Sequence, residues 1–505
     1  MRGSKRRLWC LCMAWALVPF APMSPAFASP WAEVGDAQLR SDVEILAAAG
    51  VIDDITTHWP IPWKGIYRDL EAAGSLNDQP AYVRAAAERL MRRARAETHS
   101  GLKASANVDA TNLPSVVYGF DGLGRGEAQA QGSLEYMTNS SAVRLSAGVF
   151  SPDLDGHGST FTTINGVPEH IGNSFMPDGS YAAQTIGDAL VYGGYITHWW
   201  GPGWISALSL SNNARPFPQI GIERNDTASF STPWLSWLGP WQAEFFVGIL
   251  NGERVAKDTL YDGLRLTFNP LPGLEIGIAR TDEACGEGQP CKPLSTYFDL
   301  QNTPQHPSLT NDEGDIDIHY TNTIGGQPFE VYGQVMNEDS NPVIHSDSSH
   351  LFGASTWIPA GQSTVRLTLE YTNSIATANI FSFGDYLYGN TYNDYKYTDG
   401  MRYDGRTLGF SLDSDSRLLS LQGGWSDSEG RAYELTFDRA QISSPSTGLG
   451  NIVTTAPVTV DLGEARITLP FRDVNFVIAG RLQDDQPRPD HGFAASIETG
   501  LHLTF

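Results

Sequence analysis

The chain ends on a strand pattern that alternates without a break. Phe493, Ala495, Ile497, Thr499, Leu501, Leu503 and Phe505 fall on one face, and Ala494, Ser496, Glu498, Gly500, His502 and Thr504 on the other. Side chains on a strand alternate sides, so one face is apolar and the other largely polar or small. After Phe20 no apolar stretch reaches the roughly 20 residues that a membrane-crossing helix needs. A chain with such a terminal strand, closed by an aromatic, and with no such helix is expected to cross a membrane as a closed barrel, with lipid outside and water inside.

The same alternation recurs along the chain. Val143, Leu145, Ala147 and Val149 alternate with Arg144, Ser146 and Gly148; Leu264, Leu266 and Phe268 with Arg265 and Thr267; Val365, Leu367, Leu369 and Tyr371 with Arg366, Thr368 and Glu370. Tyr433, Leu435 and Phe437, and later Val474, Phe476, Ile478 and Leu482, follow the rule. The second face carries too many charges for the core of a soluble sandwich and suits a wet lumen. Residues 101–505 leave room for about 16 to 20 strands, taken as about 18, at roughly 20 or more residues per strand and connection. The fold class expected is therefore mainly β, a large antiparallel outer-membrane barrel. The polar stretches Asp153 to Ser180, Asp282 to Asn311 and Ile380 to Gly400 are expected as external or inward-folded loops.

Residues 1–28 read as a secretory signal peptide. Arg2, Lys5, Arg6 and Arg7 precede an apolar run from Leu8 to Phe20, and Ala26-Phe27-Ala28 is a small-residue cleavage pattern. Cys10 and Cys12 lie inside it without the neighbours of a lipid-attachment site. Removing its four basic residues from a net charge of −24 leaves −28. That acidity excludes nucleic acid as a partner, because phosphates would be repelled. It would let acidic outer loops share divalent cations with lipopolysaccharide. The remaining cysteines, Cys285 and Cys291, flank a short Gly-Glu-Gly-Gln-Pro loop and are expected to form a local disulfide; a zinc site would lack ligands.

Residues 29–100 read as a periplasmic helical region. Leu39, Val43, Leu46 and Ala49 lie at helical spacing before Gly50; Tyr67, Leu70 and Ala73 mark a short helix; Pro80 opens a longer one with Val83, Ala87, Leu90 and Ala94 on one face. Arg84, Arg92, Arg93 and Arg95 make that helix locally basic, as a solvated face or as a contact for anionic membrane groups. Between the helices, Trp59-Pro60-Ile61-Pro62-Trp63 is a stiff, extended connector.

Two segments are dense in unusual residues. The first runs Trp199-Trp200-Gly201-Pro202-Gly203-Trp204, then Ser211-Asn212-Asn213-Ala214-Arg215-Pro216. The second is Tyr397-Thr398-Asp399-Gly400-Met401-Arg402-Tyr403-Asp404-Gly405-Arg406, continuing to Gly409, Asp413, Asp415 and Ser416. With the Trp59–Trp63 connector, these blocks resemble the capsule assembly Wzi family of outer-membrane proteins. The resemblance implies a barrel with a periplasmic helical bundle and a lectin-like role: attaching capsular or exopolysaccharide to the cell surface without enzyme activity. It brings no sugar contacts with it residue by residue.

Aromatic faces stack on pyranose rings, while Asn, Asp and Arg satisfy hydroxyls. Trp199, Trp200, Trp204, Asn212, Asn213 and Arg215 supply both kinds of group, and the tyrosine-rich loop with Tyr388, Tyr392 and Tyr395 adds more, as does Tyr403. These are the candidate polysaccharide-binding residues. The same tryptophans suit the packing of an inward-folded loop, with Arg215 paired to a lumen carboxylate. Tyr403, Asp404, Arg406, Asp413 and Asp415 suit a lumen charge network, and the tyrosines suit an interfacial girdle. No metal and no cofactor is assigned, although Asp413 and Asp415 are close enough in sequence to share calcium. A monomer is expected. The competing readings are a sugar porin or polysaccharide export channel, and an outer-membrane hydrolase. The His-x-Ser-Asn-Gly pattern of an outer-membrane phospholipase is absent at His198, which precedes Trp199 and Trp200.

Overall fold

The computed structural model describes residues 30–504, except 54, 152–159, 163–167, 171–173, 253, 292–309, 339–346, 383, 444–450, 455, 473 and 488–491. Residues 1–29, which include the segment expected to be a signal peptide, and Phe505 lie outside the described residues.

One antiparallel sheet closes on itself. Its strands are Gly101–Thr111 (β1), Ala128–Met137 (β2), Ser141–Ser151 (β3), Tyr181–Ile186 (β4), Ala189–Tyr195 (β5), Pro218–Arg224 (β6), Trp241–Leu250 (β7), Thr259–Leu271 (β8) and Leu274–Ala284 (β9). They continue as Asn311–Ile324 (β10), Gln327–Glu338 (β11), Ser348–Ala360 (β12), Ser363–Thr377 (β13), Arg417–Ser426 (β14), Ala432–Ile442 (β15), Val458–Phe471 (β16), Val474–Gln483 (β17) and Ala494–Thr504 (β18). Two short edge strands, Ser174–Met176 and Tyr386–Leu387, bring the sheet to 20; without them the ring has 18. Closure is made by β18 on β1, with Leu501 opposite Val108 and Thr504 opposite Ser105.

The polarity is inside-out. On β8, Leu264 and Leu266 stand 40% exposed on the outer surface, while Arg265 and Thr267 between them are fully buried. Leu145, Val149, Leu369, Phe437, Ile478 and Ile497 are likewise exposed. Asp109, Glu244, Asp317 and Glu370 are buried on the inner face. An apolar exterior is stable only against hydrocarbon, and the backbone donors and acceptors of a closed ring need no water. The inner face is polar but is covered by protein rather than left wet, because the loops of one end and the N-terminal segment fill it.

The two ends differ. At one end the strands are joined by tight connections such as residues 187–188, 272–273, 325–326 and 361–362; at the other by long ones such as 112–127, 196–217 and 378–416. The helices Ala37–Ala48 (α1), Trp63–Ala72 (α2) and Ala81–Thr98 (α3) cap the tight end. The Tyr82 hydroxyl donates to the Gly326 carbonyl (3.1 Å), Arg89 to the Asp427 carbonyl (3.3 Å) and Thr323 to the Ala48 carbonyl (3.3 Å). Asp36 caps α1 by accepting from the Leu39 amide at 2.9 Å, and Gly50, at φ +64°, ends it as a left-handed residue that costs glycine nothing. α3 buries Val83, Ala87, Leu90 and Ala94, while Arg84, Arg92, Arg93 and Arg95 are exposed. The second helix begins earlier than periodicity suggests, at Trp63 itself, because Pro62 fixes an extended residue just before it. The stretch before it is not a free connector: Ile61–Pro62 pairs with Trp31–Ala32, and His58–Trp59 pairs with Trp199–Trp200.

Candidate functional site

The middle of the barrel is where the N-terminal segment meets the loop 196–217. Trp59, Trp199 and Trp200 are fully buried there and Trp204 is 3% exposed. Phe120, from the loop 112–127, makes edge contacts with Trp59 (5.1 Å) and Trp199 (5.5 Å), and the Trp199 indole donates to the Gly203 carbonyl at 2.9 Å. The Gly201-Pro202-Gly203 turn is held from both sides. Arg40 of α1 donates to the carbonyls of Pro202 (2.7 Å) and Gly203 (2.8 Å). Glu370 of β13 accepts from the amides of Trp204 (2.7 Å), Ile205 (3.3 Å) and Ser206 (2.7 Å), and from the Tyr332 hydroxyl (2.9 Å). The guanidiniums of Arg40 and Arg366 lie over the Trp204 ring, 4.3 and 3.7 Å from its centroid, and its indole donates to Glu330 at 2.7 Å. Two glycines let this turn bring its backbone against charged side chains.

Other wall carboxylates hold the N-terminal segment. Glu275 accepts from the amides and hydroxyls of both Thr56 and Thr57, and His58 bonds Glu244 at 2.9 Å. Arg265 pairs with Asp317 at 2.8 Å and donates to the Thr57 hydroxyl at 3.0 Å. The charged inner face is thus a set of matched sockets for the backbone of the plug.

Above this layer lies a second one made by the loop 378–416. Ser211 donates its amide to Leu408 (2.7 Å) and its hydroxyl to Gly409 (2.6 Å); Asn213 donates to the Thr407 carbonyl (2.9 Å). Tyr392 is fully buried as a pillar, its hydroxyl donating to the Leu208 carbonyl and accepting from the Phe410 amide. Arg402 grips both oxygens of Asp413 at 3.0 and 2.7 Å. Asp415 receives the Gly389 amide, and burial pushes its carboxyl up to about 6.

The face of this layer turned toward the long-loop end is polar and partly open. Arg215 forks onto Asp178 (3.2 and 2.8 Å) and reaches Asp404 at 3.4 Å. The Tyr403 hydroxyl donates to Asn251 at 2.7 Å. Arg125 and Arg406 complete the face on either part of Asn212 and Asn213. Further out, Tyr395 is 76% exposed, and Tyr388 is half-buried beside Tyr386. Cys285 and Cys291 are joined by a disulfide, and the Cys285 carbonyl accepts from the Tyr397 hydroxyl at 3.1 Å.

The model of the family described as capsule assembly protein Wzi matches residues 100–469, most of the chain. The chain belongs to the capsule assembly Wzi family. The solved structure of Wzi from Escherichia coli, an outer-membrane carbohydrate-binding β-barrel involved in group 1 capsule assembly, matches with a TM-score of 0.77. That match is at 20% identity, over 94% of this chain and 99% of that one, and it establishes the shared fold. An uncharacterized 55.8 kDa protein in the cps region of Klebsiella pneumoniae is 27% identical over 351 residues. That match spans 67% of this chain and 64% of the relative's length.

Within this Wzi-family plug the sequence candidates fall into four places. Trp199, Trp200 and Trp204 sit deep, packed against the N-terminal segment. Tyr392 is a buried support. Asn212, Asn213 and Tyr403 lie buried just beneath the outer face, where Arg215 is half-buried, and Tyr388 and Tyr395 lie on the loop beyond it. Asp178, Arg125 and Tyr118 at the same face are not singled out by the sequence. They lie in unremarkable Gly-rich stretches, and only the closing of strands far apart in the chain brings them to Arg215 and Arg406.

At the opposite, tight end a cavity of about 410 Å³ is lined by Asp53, Thr56, Gly239, Asn269, Glu275 and His319, among others. Behind it, the ligand atoms of Glu44, His319 and Glu330 lie within 4.8 Å of one another, a set that could hold a cation among the described residues. The 2.9 Å bond between His319 and Glu330, and Arg40 3.8 Å from Glu44, also supply counter-charges within the set. Burial, reinforced by the Glu330 carboxylate, pushes Glu44 up to about 8. A carboxyl raised on folding favours the folded state below its ordinary range near 4.5 and loses that advantage as pH climbs through 8. Glu44→Gln, which imitates the protonated form, is therefore expected to match the wild type near pH 4.5. At pH 8 it should melt higher, by on the order of a few degrees. Parallel melting curves for the two proteins across that range would contradict this.

Proposed function

We propose that this protein resides in the outer membrane after loss of residues 1–28 and holds capsular or exopolysaccharide at the cell surface as a non-catalytic, lectin-like receptor. The observation that carries the reading is the filled lumen: the loops 112–127, 196–217 and 378–416 and the N-terminal segment interlock across the barrel and leave a polar, arginine- and tyrosine-bearing face toward the long-loop end. Such a face suits a polymer of hydroxyls, which is recognised by planar hydrogen-bonding groups and aromatic rings. Arg215, Tyr388 and Tyr395 are its contacts, and Asn212, Asn213 and Tyr403, with Trp199, Trp200, Trp204 and Tyr392, act behind them by holding the face rigid. Rigid support cuts the ordering cost of binding. Family membership and the carbohydrate-binding Escherichia coli protein of the same fold support the assignment. The ring closes within one chain, which favours a monomer.

Deleting the gene tests this. Polymer is expected to be made in normal amount but to move from the cells into the medium. Retention on the cells at the normal amount would overturn the reading. A porin or export channel would instead show steady conductance of the purified barrel in a planar bilayer.

A further inference from the structure

Among the described residues, two arginines at the outer face are held as a pair without a counter-ion. Arg125 donates from Nε and Nη2 to the Asn212 carbonyl (3.2 and 2.7 Å) and from Nε to the Asn213 carbonyl (3.2 Å). Arg406 donates from Nη1 to Asn213 Oδ1 (3.1 Å) and from Nη2 to the carbonyl of Arg125 itself (2.7 Å). Both guanidinium carbons lie 5.5 Å from the centroid of Tyr118. Tyr118 is in turn fixed by its hydroxyl on the carbonyls of Gly122 (3.0 Å) and Leu123 (2.6 Å). Neither arginine meets a carboxylate among the described residues, although the plug arginines Arg215, Arg254 and Arg402 pair with Asp178, Glu283 and Asp413.

That is unexpected in a chain with 57 acidic and 33 basic residues. Two like charges brought together and partly desolvated repel; burial and the Arg125 charge lower Arg406 to about 10. Carbonyls and a tyrosine ring orient the forks without neutralising them. Arg125 Nη1 and Arg406 Nε have no hydrogen-bond partner among the described residues, and both side chains are partly exposed. A pre-oriented guanidinium fork matches the two oxygens of a carboxylate, and an unneutralised pair of forks attracts an anion from solution.

We propose that Arg125 and Arg406, set on Tyr118 and on Asn212 and Asn213, form a subsite for the carboxylate of an acidic sugar in the bound polymer. The assignment rests on the polysaccharide-binding reading and narrows it to uronic-acid-type chains. It also answers the charge problem of this protein, since an acidic polymer would otherwise meet an acidic surface. The neighbouring Asp178 is already occupied by Arg215 and so does not compete for the pair.

The test uses the full-length barrel purified in detergent and titrated with oligogalacturonate, its methyl ester and a neutral dextran oligomer of the same length. The wild type is expected to bind the free acid at least about tenfold more tightly than the ester, with affinity falling as salt rises. Arg125→Gln with Arg406→Gln should remove that preference, so that the acid and its ester bind the variant equally. Arg125→Gln alone keeps the Arg406 bond to Asn213, so it carries the test if the double variant melts early. Equal binding of acid and ester by the wild type, or an unchanged preference in the variant, overturns the subsite. Neither result touches the deletion experiment, which reads attachment of whatever polymer the cell makes.

Discussion

Replacing Glu370 with alanine is expected to unlatch the plug. The carboxylate accepts three consecutive backbone amides, Trp204, Ile205 and Ser206, and the Tyr332 hydroxyl, all buried. Each buried donor left without an acceptor costs about 1–3 kcal/mol, so the loss is several kcal/mol even if one donor finds a new partner. A truncated side chain also removes one of the carboxylates that surround the Arg40 guanidinium. Thermal unfolding in detergent should show a lower midpoint, and a planar bilayer should show conductance events absent from the wild type. Glu370→Gln keeps the shape and one acceptor oxygen, and should fall between the two. An alanine variant that melts with the wild type and stays electrically silent would mean that the turn is held by packing alone.

The second large effect is expected for Trp199→Ala. This side chain is fully buried, contacts Phe120 edge-on, bonds the Gly203 carbonyl and belongs to the strand pair with Trp59. Removing a buried tryptophan costs about 3–5 kcal/mol through lost transfer energy and the cavity left behind. The cost falls on the joint between the loop 196–217 and the N-terminal segment, so limited proteolysis should cut residues 30–100 faster than in the wild type. Tyr395→Ala, at an exposed position, should change stability by less than about 0.5 kcal/mol. If sugar binding falls in Tyr395→Ala while stability holds, and falls in Trp199→Ala only together with stability, contact and support are separated. A Trp199→Ala barrel that keeps its melting point would contradict the supporting role.

These expectations follow from one arrangement. Carboxylates crowded on a barrel wall would repel one another if left empty, and the plug supplies donors to them: amides of residues 56, 57 and 204–206 and the ring of His58. Wall and plug are electrically complementary, and so the lumen is filled rather than open. Arg125 and Arg406, which meet no carboxylate among the described residues, lie at the face where a polymer would arrive.

Much of this architecture is determined by sequence alone. Alternation in stretches such as 264–268 and 365–371 places apolar residues outside and charged ones inside, because a strand has only two faces. The lack of a long apolar helix then leaves a closed ring as the way to cross a membrane. Helical spacing in 39–49 and 83–94, with Gly50 and Pro80 as punctuation, places the helices. The tertiary structure alone decided which aromatics are support and which are surface, since Trp199 and Tyr395 are chemically alike as sugar platforms and differ only in depth. It also decided the partners of the charges. Arg215 meets Asp178 and Arg406 meets Arg125 across 37 and 281 residues, and contacts that long are set by strand register and loop folding around the ring, which no local pattern encodes.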